Sequence, residues 1–144
     1  AGVGEELFFR GVLQRLFIKI FKNPWAGILV TAFIFSAIHL QFYGFIPRFI
    51  LGILLGLLYW YSGSLWPSII AHFVYDAFAV VMIWFNPALA EQDSVTVSLG
   101  NQTLLAAISL TLVIIMVILM KKRSTNSYEA VYARDKIDDS NPFA

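Results

Sequence analysis

Ionisable side chains are almost absent from the first ninety residues. Between Ala1 and Ala90 the only acids are Glu5, Glu6 and Asp76, and the only bases are Arg10, Arg15, Lys19, Lys22 and Arg48. The whole chain is 59% hydrophobic and 13% charged, where soluble domains carry about 25% charged residues. A water-soluble core of 144 residues could not hide this much apolar surface. The hydrocarbon of a bilayer accepts it. Cysteine is absent, which excludes disulfides and leaves the redox compartment open. A net charge of +1 gives no support for a nucleic-acid partner.

Five apolar segments stand out. They run from Gly4 to Lys22, from Trp25 to Leu40, from Pro47 to the break at Tyr61-Ser62-Gly63, from Pro67 to Asn86-Pro87, and from Thr103 to Met120. Proline is tolerated at a helix start, and Asn-Pro or Ser-Gly steps mark helix ends. A spanning helix needs about 20 apolar residues, so the second and third segments are slightly short; tilt or burial inside a bundle absorbs the difference. None of the segments alternates apolar and polar residues, as a membrane β-barrel requires. The expected fold class is therefore all-α: a multi-span transmembrane helix bundle, with the lipid bilayer as its first partner.

Charge orients this bundle. Lys121, Lys122 and Arg123 place the end of the fifth segment in the cytoplasm. The stretch from Asn86 to Gln102 carries Glu91 and Asp93 but no base, so it is expected outside. Lys19 and Lys22 return the end of the first segment to the inside, and Arg48 is a minor exception on the outer side. Residues 1–123 form the expected membrane core. Residues 124–144, polar and mixed in charge, read as a disordered cytoplasmic tail. The chain opens Ala1-Gly2 with no signal-peptide pattern, and is expected to be the C-terminal part of a longer protein with upstream helices.

Ionisable residues in a bilayer cost roughly 2.5–3.5 kcal/mol at a helix centre and mark functional sites. Glu6 and Arg10 are four apart and share a helical face, so they pair. Glu5 is turned about 100° away and stays available. Negative charge near a helix start is also favourable for purely structural reasons. His39 lies near the end of the second segment, where an interfacial or hydrogen-bonded histidine is the commoner case. His72 and Asp76 are four apart on the fourth segment, and an Asp inside an apolar span needs a partner. If the three helices pack together, Glu5, His39, His72 and Asp76 converge. Apolar surroundings strengthen a carboxylate as a general base. Two histidines can hold water, bind a metal such as zinc or stabilise an oxyanion. The His-Glu-x-x-His pattern, the Gly-x-Ser-x-Gly pattern and paired membrane aspartates are all absent.

The chain resembles the CAAX prenyl protease and bacteriocin-processing family, also called CPBP or Abi. The family's Glu-Glu-x-x-x-Arg matches at Glu5, Glu6 and Arg10, its Phe-x-x-x-His at Phe35 and His39, and the histidine of its His-x-x-x-Asn at His72. The last motif departs at Asp76, where the family has Asn. The match runs in order from Glu5 to Asp76 and includes Phe-Phe-Arg-Gly at Phe8 to Gly11.

The resemblance implies an intramembrane endopeptidase. Glu5 and His39 would activate water, His72 and the residue at Asp76 would form the oxyanion hole, and Glu6 with Arg10 would support them. An older view of the family treats such residues as metal ligands, here Glu5, His39, His72 and Asp76; the preferred mechanism requires no cofactor. An ionised Asp76 only accepts hydrogen bonds, so its expected role is to orient His72.

The expected substrate is a peptide or a membrane-associated protein, and the expected location is the bacterial cytoplasmic membrane. Two competing readings are a catalytically silent bacteriocin-immunity or scaffolding protein on the same fold, and a proton-coupled transporter using Glu5 and Asp76. The transporter reading lacks a substrate path that five spans alone could supply.

Overall fold

The computed structural model describes residues 2–40, 42, 44–85 and 101–132; among these the regular elements are all helices, with no strand. The first helix, α1, is built in three abutting pieces: α-helical Gly2–Glu6, π-helical Leu7–Gln14 and α-helical Arg15–Phe21. It is followed by α2 (Pro24–Ala37), α3 (Phe45–Ser62), α4 (Trp66–Phe85) and α5 (Asn101–Arg123). Residues 128–132 add a further helical turn.

The breaks fall where local chemistry demands them. Lys22 turns left-handed (φ 51°) and ends α1. Asn23 caps α2: its Oδ1 accepts from Trp25 N at 2.9 Å and Ala26 N at 3.4 Å, with Pro24 opening the helix. Gly63, at φ 68°, closes α3 by donating its N–H to the Tyr59 carbonyl at 3.0 Å. The second helix stops at Ala37, so His39 lies in the turn beyond it and not on the helix as its spacing implied.

Two helices, α3 with 18 residues and α4 with 20, are long and apolar enough to cross a membrane. The apolar α2 is shorter, at 14 residues. The fivefold span count thus stands for two helices on length and composition. The expected outer loop lies mostly at 86–100, outside the described residues.

Alongside an apolar core, the first helix buries polar side chains and exposes large apolar ones. On α1, Leu7, Phe8, Val12, Leu16 and Ile20 are exposed, while Glu6, Arg10 and Gln14 are almost wholly buried. Water would impose the opposite arrangement; a lipid surround permits this one. The π segment aligns the buried row. In an α-helix, steps of four residues drift by about 40° each, which would fan Glu6, Arg10, Gln14 and Ile18 across the surface. The i→i+5 bonds of a π-helix fit more residues into each turn, so its steps of four drift the opposite way and, joined to the α-helical pieces, keep the row on one side.

Helix α2 lies between α1 and α3, α4 packs on α3 and on the first turn of α1, and α5 packs on α3. Gly27 sets the approach of α2 to α1: a Cβ there would fall 2.4 Å from Ile18 Cγ1 and 2.7 Å from the Ile18 backbone nitrogen. Backbone cannot give way cheaply. Gly27→Ala is expected to cost about 1–3 kcal/mol, seen as a lowered unfolding midpoint in detergent; an unchanged midpoint would show that the helices slide apart freely.

The expected disordered tail is, in its first part, docked on the bundle. Tyr128 and Tyr132 stack with centroids 5.1 Å apart and pack against the cluster of Ile18, Ile28, Leu57 and Trp60. Asn126 Nδ2 donates to the Trp60 carbonyl at 2.8 Å, and the Tyr132 hydroxyl donates to the Arg15 carbonyl at 3.2 Å. Two tyrosines four apart give this short helix an apolar face, and the end of α3 offers a free-standing acceptor for the asparagine. The expectation for residues 133–144 falls outside the described residues.

Candidate active site

The buried row of α1 is a polar ladder bonded to two other helices. Arg10 Nη1 donates to Glu6 Oε1 at 2.8 Å, and Arg10 Nη2 donates to the Gly52 carbonyl at 3.1 Å. One turn on, Gln14 Nε2 donates to the Gly56 carbonyl at 3.0 Å. Both acceptors lie in the Gly52-Ile53-Leu54-Leu55-Gly56 stretch of α3. Small residues four apart let backbones meet in membrane bundles, and here they also expose carbonyls to side-chain donors. A Cβ at Gly56 would sit 2.9 Å from Gln14 Oε1.

From this ladder Glu6 reaches α4. Its Oε1 accepts from His72 Nδ1 at 2.9 Å, in addition to Arg10. A carboxylate can only accept, so Nδ1 carries the proton and the ring is fixed with Nε2 turned the other way. His72 Nε2 faces Glu5 Oε2 at 3.9 Å and Asp76 Oδ2 at 3.7 Å, both beyond hydrogen-bond range. Glu6 therefore orients His72, a role the sequence suggested for Asp76.

His39 is held by the end of α2. Its Nδ1 donates to the Phe35 carbonyl at 2.7 Å, which leaves Nε2 of the neutral ring as an acceptor. Phe35 joins the parts. Its ring meets Phe9, His39 and His72 edge-on, at 5.1, 5.1 and 5.7 Å between centroids. The Arg10 guanidinium lies 4.9 Å from the centre of the same ring.

Glu5, His39, His72 and Asp76 all border one cavity of about 400 Å3. Gly44, Pro47, Arg48 and Tyr75 complete its lining. His72 is buried, whereas the Glu5 side chain is 31% exposed and that of Asp76 45%. Glu5 Oε2 is itself shielded from solvent and makes no protein hydrogen bond among the described residues. The structure thus brings the four predicted residues to a common space and keeps Glu6 and Arg10 behind it. Gln14 and Tyr75 were not singled out in the sequence, and Arg48 was noted only as a charge exception; a base inside an apolar segment was the signal for it. Among the described residues no three His, Asp or Glu side chains are placed to hold one metal ion.

Residues 1–78, which carry all of these groups, match the family described as type II CAAX prenyl endopeptidase, Rce1-like. The chain belongs to this family. That agrees with the resemblance drawn from the motifs at Glu5, Phe35 and His72. The chain is also 34% identical over 86 residues to the uncharacterized protein YpbD of Bacillus subtilis (strain 168). That alignment takes in 57% of this chain and 41% of the relative, so the chain spans less than half of that protein's length. No solved structure gives a significant match.

Proposed function

We propose that this member of the Rce1-like family is the catalytic part of an intramembrane endopeptidase, in which Glu5 activates a water molecule. The observation that carries the reading is the shared cavity: a carboxylate with an unbonded oxygen, and two histidines each fixed through Nδ1. In the proposed reaction Glu5 takes a proton from water while His39 Nε2 accepts the other water hydrogen. The oxygen attacks the scissile carbonyl, and the developing oxyanion accepts a hydrogen bond from His72 Nε2 in its protonated form. Glu5 then returns its proton to the departing amine. Glu6 and Arg10 hold His72 in place from behind.

The reading places α1, α2 and α5 in the bilayer beside α3 and α4, with the C-terminus in the cytoplasm. The substrate is a peptide or the end of a membrane-associated protein. The reading routes no step through a metal. Activity of the purified protein should survive chelation; activity that vanishes with chelator and returns with zinc would overturn this part.

Asp76 stands 3.7 Å from the nitrogen that is to donate. Asp76→Asn, which replaces an acceptor with a side chain that can also donate, is expected to keep or raise peptidase activity. A fall of more than about tenfold, the size of a lost hydrogen bond to a charged group, would show that the Asp76 carboxylate is itself needed. Asp76 is also the feature that favours a second reading, a silent immunity or scaffolding protein on this fold; its mark would be a Glu5→Gln variant equal to wild type in cleavage and in protection of cells.

A further inference from the structure

A second cavity, of about 290 Å3, lies at the other end of the bundle. It is enclosed by the second half of α1, the end of α3 and the docked segment 124–132, with Arg15, Tyr59, Trp60, Asn126 and Tyr132 in its walls. Arg15 stands ten residues along α1 from Glu5, and the two cavities share no lining residue, so this space is separate from the peptidase site. Its volume is close to the lower end of the range of about 300–1,000 Å3 for small-ligand sites.

The walls have a definite chemistry. Arg15 is the charge, and no acidic side chain lines the cavity among the described residues. Arg15 is near enough to Tyr59 and Tyr132 to act on both electrostatically. The closing segment is fixed: Asn126 is bonded to the Trp60 carbonyl and Tyr132 to the Arg15 carbonyl. Lys19 and Lys22 follow on α1, and Lys121, Lys122 and Arg123 end α5. Guanidinium groups match phosphate oxygens with paired donors. Tyr and Trp rings favour the depth of lipid headgroups, and basic pockets at cytoplasmic helix ends take anionic headgroups.

We propose that this cavity binds the phosphate of an anionic phospholipid headgroup, with Arg15 as the recognising charge and Tyr59, Trp60 and Tyr132 as its walls. The bound headgroup holds α1, α3 and segment 124–132 together at the inner membrane surface. The proposal rests on the membrane reading of the helices and is independent of the chemistry at Glu5.

The test uses the full chain, carried into nanodiscs of phosphatidylcholine with and without phosphatidylglycerol, and native mass spectrometry of the lipid retained after extraction. Wild type should retain phosphatidylglycerol over phosphatidylcholine by at least about fivefold, a modest selectivity for one forked guanidinium–phosphate contact. Arg15→Gln should abolish the preference, Arg15→Lys should restore it in part, and Lys22→Gln should leave it intact. Tyr132→Phe, which keeps the ring and removes the hydroxyl, gives a second readout should Arg15→Gln fail to fold, and should weaken retention. Undiminished retention in Arg15→Gln, or in Tyr132→Phe where Arg15→Gln does not fold, would overturn the proposal. An equal loss in Lys22→Gln would reduce the effect to diffuse charge and overturn it as well. Thermal protection in detergent by inorganic phosphate equal to that by phosphatidylglycerol would show a soluble phosphate site instead of a lipid site.

Discussion

Glu5→Gln should lower peptide-bond hydrolysis by about 10²–10⁴-fold, the contribution expected of a positioned general base. Gln has the shape of Glu and cannot take a proton from water. Glu5 is part-exposed and its Oε2 makes no protein hydrogen bond among the described residues, so the fold should lose little. Activity and unfolding midpoint therefore separate in this variant. The informative measurement is cleavage of a peptide by purified protein in detergent, alongside a thermal melt. Cleavage within about threefold of wild type, well short of a general base's contribution, would remove Glu5 from the mechanism. His39→Ala should lose activity with the same unchanged melt, because its Nδ1 bond is only to the adjacent last turn of α2.

The largest loss of stability is expected at Arg10. Arg10 and Glu6 are both fully buried and 2.8 Å apart. Removing one partner of a buried pair strands the other charge, at a cost of about 3–5 kcal/mol. Arg10→Met should therefore unfold the protein at much lower denaturant or temperature. It should also weaken activity, because Glu6 Oε1 is what holds His72. Arg10→Lys should recover only part of the loss. One ammonium cannot reach both Glu6 and the Gly52 carbonyl with the geometry of the guanidinium fork. The double variant Glu6→Gln with Arg10→Met should be more stable than Arg10→Met alone, because no charge remains stranded. An Arg10→Met variant within about 1 kcal/mol of wild type, the scale of an exposed pair, would mean that water reaches the pair.

Much of this was legible in the chain, and the reason is the scarcity of polar residues. With so few ionisable groups before Ala90, the acids and histidines stood out as candidates, and Glu5, His39, His72 and Asp76 do border one cavity. Helix ends were also readable where one residue type decides them, as at Asn23-Pro24 and Gly63.

Three features were not legible. The π segment has no side-chain signature, since it arises when bonds shift by one residue to satisfy packing; without it Gln14 falls off the buried face and is passed over. The Glu6–His72 bond joins residues 66 apart, and helical spacing speaks only to neighbours on one helix. The docking of 124–132 was hidden by its polar composition, because Asn126 acts through a backbone carbonyl and the two tyrosines act as a pair.

One oxygen atom, Glu6 Oε1, accepts from both Arg10 and His72. It ties the first turn of α1 to α4, and α4 is made more than fifty residues later. On the proposed membrane reading the chain emerges helix by helix. Until α4 arrives, His72 is not beside Glu5, and the cavity has no wall on that side. The hydrolytic apparatus proposed here thus carries its own safety catch: a nascent or truncated chain that stops before α4 holds the base without the group that would stabilise the intermediate.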